Sequence, residues 1–129
     1  EDGYWSNVWN TKGFSMSSWG GRPTEDMMWS AAFTDDTEWN EAAWGNIVKT
    51  DATKRFNELV RAARSELDFE KRKAMYWECQ ALCNFDGGAI VYAFNQYVGA
   101  GSKKLAHGDD VAGNWESDGN KISERWWFA

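Results

Sequence analysis

Apolar positions recur at helical spacing over two stretches of this chain, and these predict its clearest elements. In "ATKRFNELVRAARSE", Phe56, Leu59, Val60 and Ala63 fall on one face, with Asp51 placed to cap the start. Asp68 restarts the chain as "FEKRKAMYWECQALCNF", where Met75, Cys79 and Leu82 share a face. Asp68 and Arg72 stand at i, i+4 in that helix, a surface pair worth about 0.3–0.5 kcal/mol. Asp86-Gly87-Gly88 breaks the helix, and the apolar run "AIVYAF" after it reads as a buried strand.

Weaker patterns lie upstream. Tyr4, Trp5, Val8 and Trp9 predict a short helix over residues 4 to 10, ended by Thr11-Lys12-Gly13. The alternation in "FSMSSW", residues 14 to 19, predicts a small strand. A shaped loop, Trp19-Gly20-Gly21-Arg22-Pro23, then leads to Thr24, an N-cap with Glu25 and Asp26 favourably placed in the first turn. Met27, Met28, Ala31 and Ala32 form the apolar face of that helix. Residues 34 to 51 read as loop and short helix, capped at Thr37, with apolar positions at Trp39, Ala42, Ala43 and Trp44 and a stop at Gly45-Asn46. Beyond Tyr97 the chain turns Gly-, Asp- and Lys-rich, with one short strand at most, and ends in "ISERWWFA". The order helix, helix, Gly-Gly, apolar strand predicts a mixed α/β architecture rather than a bundle.

Composition sharpens this picture. A chain of 129 residues suffices for one domain that buries roughly 65% of its unfolded surface. Fourteen basic against twenty acidic residues leave a net charge of −6, which argues against a nucleic-acid partner. No apolar run reaches the roughly 18 residues of a membrane span. The start, Glu1-Asp2-Gly3, is neither an initiator Met nor a signal peptide and suggests a piece of something longer. Ten tryptophans are too many to hide, so some are expected to line a groove or an interface. Trp126, Trp127 and Phe128, at the end of an irregular tail, are expected to dock on another surface.

No catalytic set emerges, so an enzyme is not expected. His107, the only histidine, stands near Asp109 and Asp110 in a loop that reads either as a metal or catalytic cluster or as a solvated turn. Cys79 and Cys83 fit a metal pair, a redox pair, or two small apolar residues on a buried face. With one His and no second Cys pair, a structural zinc site lacks ligands. "NWESDGN" misses the calcium-loop spacing, and "WGGRP" lacks the Lys of a phosphate loop. The carboxylate pairs Asp35-Asp36 and Glu25-Asp26 are explained by capping and solvation. No metal or cofactor is therefore expected.

Two aromatic loops offer binding chemistry instead. Trp19, Gly20, Gly21 and Arg22 would present an indole, bare backbone N–H groups and a forked guanidinium, parts that suit an amide, a carboxylate or a sugar ring. Trp39 and Asn40 offer a second stacking surface with an amide beside it. Ordinary turn chemistry over a core Trp explains either loop equally well.

The stretch "FNELVRAARSELDFEKRKAMYWECQALCNFDGGAIVYAF" resembles the C-terminal region of family 5 extracellular solute-binding proteins, the dipeptide-, oligopeptide- and nickel-type receptors of bacterial ABC importers. The shared features are the "ARSELDFEKR" turn between two helices, a "Y.E.Q" second helix, a Gly break and an apolar strand. "DGYWSNVWNTKGFSMSSWGGRPTEDMMWS", "WNEAAW" and "ERWWFA" extend the likeness over nearly all of the chain. The resemblance implies the C-terminal part of a two-lobed periplasmic-binding-protein clamshell: residues 1–97 from the second lobe, residues 98–129 a tail that returns to complete the first. It implies a missing N-terminal part of the same chain, a small-molecule solute, delivery to an ABC permease in the membrane, and a periplasmic or lipid-anchored extracytoplasmic location. Exposed faces left by the missing part would make the chain self-associate.

In peptide-binding relatives the loop matching Trp19–Pro23 faces the cleft and carries an Asp for the ligand's α-amine. Here that Asp is lacking, Asp26 comes later, and Arg22 favours an anionic or carbonyl-bearing group. The ligand stays open among peptide, sugar, opine-like compound and metal chelate. The alternative is a stand-alone Trp-rich module that binds glycans or peptides by stacking.

Overall fold

Thr50, one residue earlier than expected, starts the helix on which the first unit is built. Its hydroxyl accepts the Thr53 N–H, and the Thr53 hydroxyl accepts the Thr50 N–H in return, a reciprocal cap. The computed structural model describes residues 3–96, 98–113 and 115–129. Their elements are α1 (Tyr4–Asn7), α2 (Glu25–Ala32), α3 (Asp51–Ala63), α4 (Phe69–Asp86), β1 (Leu105–His107), α5 (Glu116–Asn120), α6 (Ile122–Arg125) and β2 (Trp126–Phe128). They divide into two compact units: Glu1–Ser18 with Thr24–Val91, and Trp19–Pro23 with Tyr92–Ala129.

In the first unit α3 and α4 pair as a helical hairpin. Phe56, Leu59, Val60 and Ala63 are buried, as their spacing requires, and Cys79 of α4 closes over them with Met75, Leu82 and Cys83 beside it. Asp68 caps α4 by accepting the Lys71 N–H at 3.0 Å. Arg72, expected to pair with Asp68, instead donates to the Glu66 carbonyl at 2.8 Å, because the cap already engages the Asp68 side chain. The helices are joined outside by a two-point contact of Arg55 with Glu78 at 2.7 and 2.9 Å. That contact holds the Glu78 carboxyl below its ordinary range, but exposure to water leaves it little weight in stability.

Aromatic rings complete this core. Trp44 and Trp29 pack on Phe56 with centroids 4.8 and 5.4 Å away, and Phe33 meets Trp29 edge-on. The inward face of α2 is therefore Trp29, Ala32 and Phe33, whereas Met27, expected there, is exposed. Thr24 caps α2 as expected, with Met27 N–H at 3.4 Å. The helix expected after Thr37 does not form. Ala43 takes a left-handed φ of 52° and Gly45 one of 91°, and the chain wraps through Asn40 instead of coiling. At Gly45 the left-handed φ favours glycine, and a β-carbon would lie a tight 3.1 Å from the Asn57 amide.

Neither expected strand forms. Residues 14–19 and 89–94 make no ladder, since a strand's backbone groups need a neighbouring strand and no described residue pairs with them. Ile90 and Phe94 are 81% and 90% exposed, where burial was expected. Tyr97, where the first expected segment ends, lies outside the described residues. The segment 14–19 is tied down by side chains: Ser17 donates to Glu41 at 2.7 Å, and the Tyr4 hydroxyl donates to the Met16 carbonyl. The first helix ends at Asn7, short of residue 10.

The second unit carries the two-stranded sheet. β1 and β2 run antiparallel, with Leu105 opposite Phe128, Ala106 opposite Trp127 and His107 opposite Trp126. Between them Ser117, Asp118, Gly119 and Asn120 all have left-handed φ, from 51° to 66°, a run that opposes its non-glycine residues by roughly 1–2 kcal/mol each. Asp118, whose side chain is 1% exposed, is what this turn buries. Its Oδ1 accepts the Ala112 N–H at 2.6 Å and Arg125 at 2.9 Å, and its Oδ2 accepts the Trp126 indole N–H at 3.1 Å.

Two outcomes are expected. Phe56→Ala should destabilise the first unit by about 3–5 kcal/mol, read as a lower urea midpoint in far-ultraviolet circular dichroism. The second concerns pH. The Ala112 N–H, then the Trp126 indole and the Arg125 charge, hold the Asp118 carboxyl below its ordinary value. An unfolded Asp titrates near about 3.9, so the contribution is complete above that value and is lost as pH falls through the lower folded one. The Trp126 indole N–H resonance should show an acid limb, shifting as pH falls below about 4. In Asp118→Asn it should show no such titration; an unchanged acid limb would refute the assignment.

Candidate functional site

The loop Trp19–Pro23 belongs to the second unit, and its arginine bonds back onto its own backbone. The carbonyls of Gly20 and Gly21 face the guanidinium, and Arg22 Nη1 donates to them at 2.9 and 3.3 Å. The guanidinium carbon of Arg22 lies over the Trp115 ring, 5.1 Å from its centroid, and over that of Trp19 at 5.9 Å. Each such contact is worth about 0.5–1 kcal/mol at an accessible site. Gly20 lies against the same indole: a β-carbon there would sit 3.7 Å from Trp115, an ordinary contact that alanine would tolerate. The loop thus presents a guanidinium oriented by its own backbone and backed by indoles.

Trp115 is the residue that sequence reasoning missed. It lies in the segment dismissed as a failed calcium loop, and no local pattern links it to Arg22. Asn114, in the same segment, lies outside the described residues.

Trp39 and Asn40 belong to the first unit. Asn40 is buried, and its amide is fully engaged in shaping the loop: it donates to the carbonyls of Phe33, Thr34 and Trp44 and accepts the Trp44 N–H. Asn40 holds the turn beside which Trp39 stands half exposed.

Elsewhere the titratable groups are engaged. Cys79 and Cys83 are free thiols on the core side of α4, and burial pushes them up to about 12 and about 11, which favours the unreactive thiol form. His107 stacks on Trp126 at 4.5 Å and donates from Nδ1 to the Gly108 carbonyl at 2.6 Å. Asp35 pairs with Arg61, and Asp26 with Arg64 at 2.7 Å. Among the described residues no group of three His, Cys, Asp or Glu is placed to hold a metal ion.

An open depression of about 620 Å³ lies at the start of α3, between Asp35, Lys49, Thr50, Lys54 and Asn57. Of the residues weighed from sequence for chemistry it holds Asp35 alone, and none of those expected to contact a ligand. Its buried groups already serve one another: Asn57 accepts the Asp35 N–H and donates to the Thr53 carbonyl, and Thr50 donates to Asp86. This is the cap of a helix, with its partners in place.

Among the described residues no helix is long and apolar enough to cross a membrane. No protein-family model, curated protein or solved structure matches the chain.

The thiol environment has a direct readout. Cys79 and Cys83 should react with a thiol reagent far more slowly in buffer than in denaturant, by at least about tenfold given their raised pKa values. Equal rates would mean that α4 opens freely.

Proposed function

We propose that this chain is part of an extracytoplasmic solute-binding component of an ABC importer, which captures a peptide-like or other small polar solute for a membrane permease. The observation that carries the proposal is the Trp19–Pro23 loop, where Arg22 lies on indole faces and pairs with no carboxylate among the described residues. In a chain of net charge −6, four of the other five arginines hold an acidic side chain. Arg22 is directed to a backbone and an aromatic surface instead, an arrangement suited to a solute. The likeness of the α3–α4 hairpin sequence to family 5 solute-binding proteins supports the same reading. Trp19, Gly20, Gly21 and Arg22 form the candidate contact surface; Trp39 is a second surface, shaped by Asn40.

Cys79 is buried and Cys83 partly so, and Asp26, Asp35, Glu78 and Asp118 each pair with an arginine. A clamshell architecture, a partner segment preceding this chain and a periplasmic or lipid-anchored location belong to the proposal. Exposed Trp127, Phe128, Ile90 and Phe94 are the surfaces through which the chain would meet that segment or another copy.

A second reading, a stand-alone glycan- or peptide-binding module, draws on the exposed indoles of Trp5, Trp39, Trp77 and Trp127. The natural protein, recovered from its producing cells and denatured, separates the two. A mass several times that of this chain with a releasable small solute is the expected result. A mass equal to these 129 residues would sink the importer reading and leave the module. Trp19→Leu should weaken binding of the released solute with little change in unfolding temperature, and unchanged affinity would remove Trp19 from the site.

A further inference from the structure

We propose that Arg22 and Trp115 form a receptor for a carboxylate group, so that the solute captured is a carboxylate-bearing one and Trp115 is a specificity-determining residue. The inference rests on the solute-binding reading above and specifies its chemistry.

A guanidinium offers a carboxylate two parallel N–H bonds along its Nε–Nη2 edge. The molecule uses that edge on itself: Arg55 holds Glu78 through Nε at 2.7 Å and Nη2 at 2.9 Å. At Arg22 the opposite nitrogen, Nη1, is anchored by the Gly20 and Gly21 carbonyls, which fixes the plane of the fork. Its Nε and Nη2 hydrogens meet no acceptor among the described residues. The edge that holds a carboxylate elsewhere in the chain is therefore presented ready-oriented.

The Trp115 indole, 5.1 Å from the guanidinium carbon, does two things. It excludes water from one face of the cation, which strengthens a charge-assisted bond made at the edge. It also gives the apolar part of a bound solute a flat surface beside its carboxylate. A β-carbon at Gly20 would lie 3.7 Å from both Nη1 and Trp115, on the side of the guanidinium that the loop carbonyls already anchor.

Arg72 provides an internal control. Its Nη1 likewise meets a backbone carbonyl, that of Glu66 at 2.8 Å, and its plane lies over Phe69 at 5.8 Å. It has neither the glycine loop nor an indole.

The test is calorimetric titration of the whole chain with four probes: trialanine, trialanine with its C-terminus amidated, succinate, and maltose. The expected result is binding of trialanine, succinate or both, and at least about tenfold weaker binding of the amide. Trialanine alone would identify a peptide C-terminus as the group recognised, and succinate alone a free organic acid. Arg22→Gln should weaken the carboxylate probe by roughly tenfold or more and Trp115→Leu by about three- to tenfold. Arg22→Lys should not restore affinity, because an ammonium lacks the fork. Arg72→Gln should leave it unchanged.

Near-ultraviolet circular dichroism of each variant should confirm that the fold survives. Failure of both carboxylate probes to bind would overturn the inference, as would an amide bound equally well or affinity indifferent to Arg22 and Trp115. Maltose bound independently of Arg22 would overturn it while leaving solute capture standing. Solute capture itself fails only if the natural protein releases no solute.

Discussion

The first unit depends on burying the stripe of α3 centred on Phe56. Phe56 touches both tryptophan rings of the core, so one side chain sets where α2, the 34–50 loop and α4 can lie. A buried aromatic of this size contributes about 1.5–3 kcal/mol from the removal of its surface from water, and more through the contacts it organises. The polar members of the same stripe, Thr53 and Asn57, are buried with it and fully bonded. Asn57 joins the α3 backbone to Asp35, while Thr53 closes the cap. Asp86 at the far end of α4 receives the Trp44 indole at 2.7 Å and the Thr50 hydroxyl at 2.8 Å, which ties the end of one helix to the start of the other. Those two bonds lower its carboxyl pKa, Trp44 first.

The second unit is organised on the opposite principle. It has no apolar cluster comparable to that around Phe56 among the described residues; a buried carboxylate takes that place. Asp118 gathers a backbone amide, a guanidinium and an indole, and so connects the turn before α5 with the start of β2. A carboxylate with three donors is well satisfied, which is what allows it to be buried at all. The left-handed run around it is the backbone consequence of turning that side chain inward.

Against these structural groups, Arg22 is distinguished by its surroundings. The ion pairs of Arg55, Arg61, Arg64 and Arg125 join parts of the chain, whereas Arg22 is oriented by two carbonyls of its own loop and faces indoles. Orientation without an acidic partner is the property a binding site needs, because a preset fork gives up less freedom when the ligand arrives.

The local code of the chain determined its helices. Periodicity placed α3 and α4 to within three residues at each end, and Thr24 and Asp68 cap as their residue types dictate, since a cap is a contact between near neighbours. Strands were not legible in this way. "FSMSSW" and "AIVYAF" carry strand patterns but find no partner, while β1 and β2, three residues each, carry little pattern and pair because Asp118 draws the tail together. Asn40 looked like a displayed amide and is a loop staple, because only the fold brings four backbone groups around it. Half of the candidate site was likewise visible: the Trp-Gly-Gly-Arg run announces a shaped loop, yet Trp115 comes from far along the chain. Local spacing reports what a residue does to its own turn of backbone; which distant ring it lies upon is decided by tertiary packing alone.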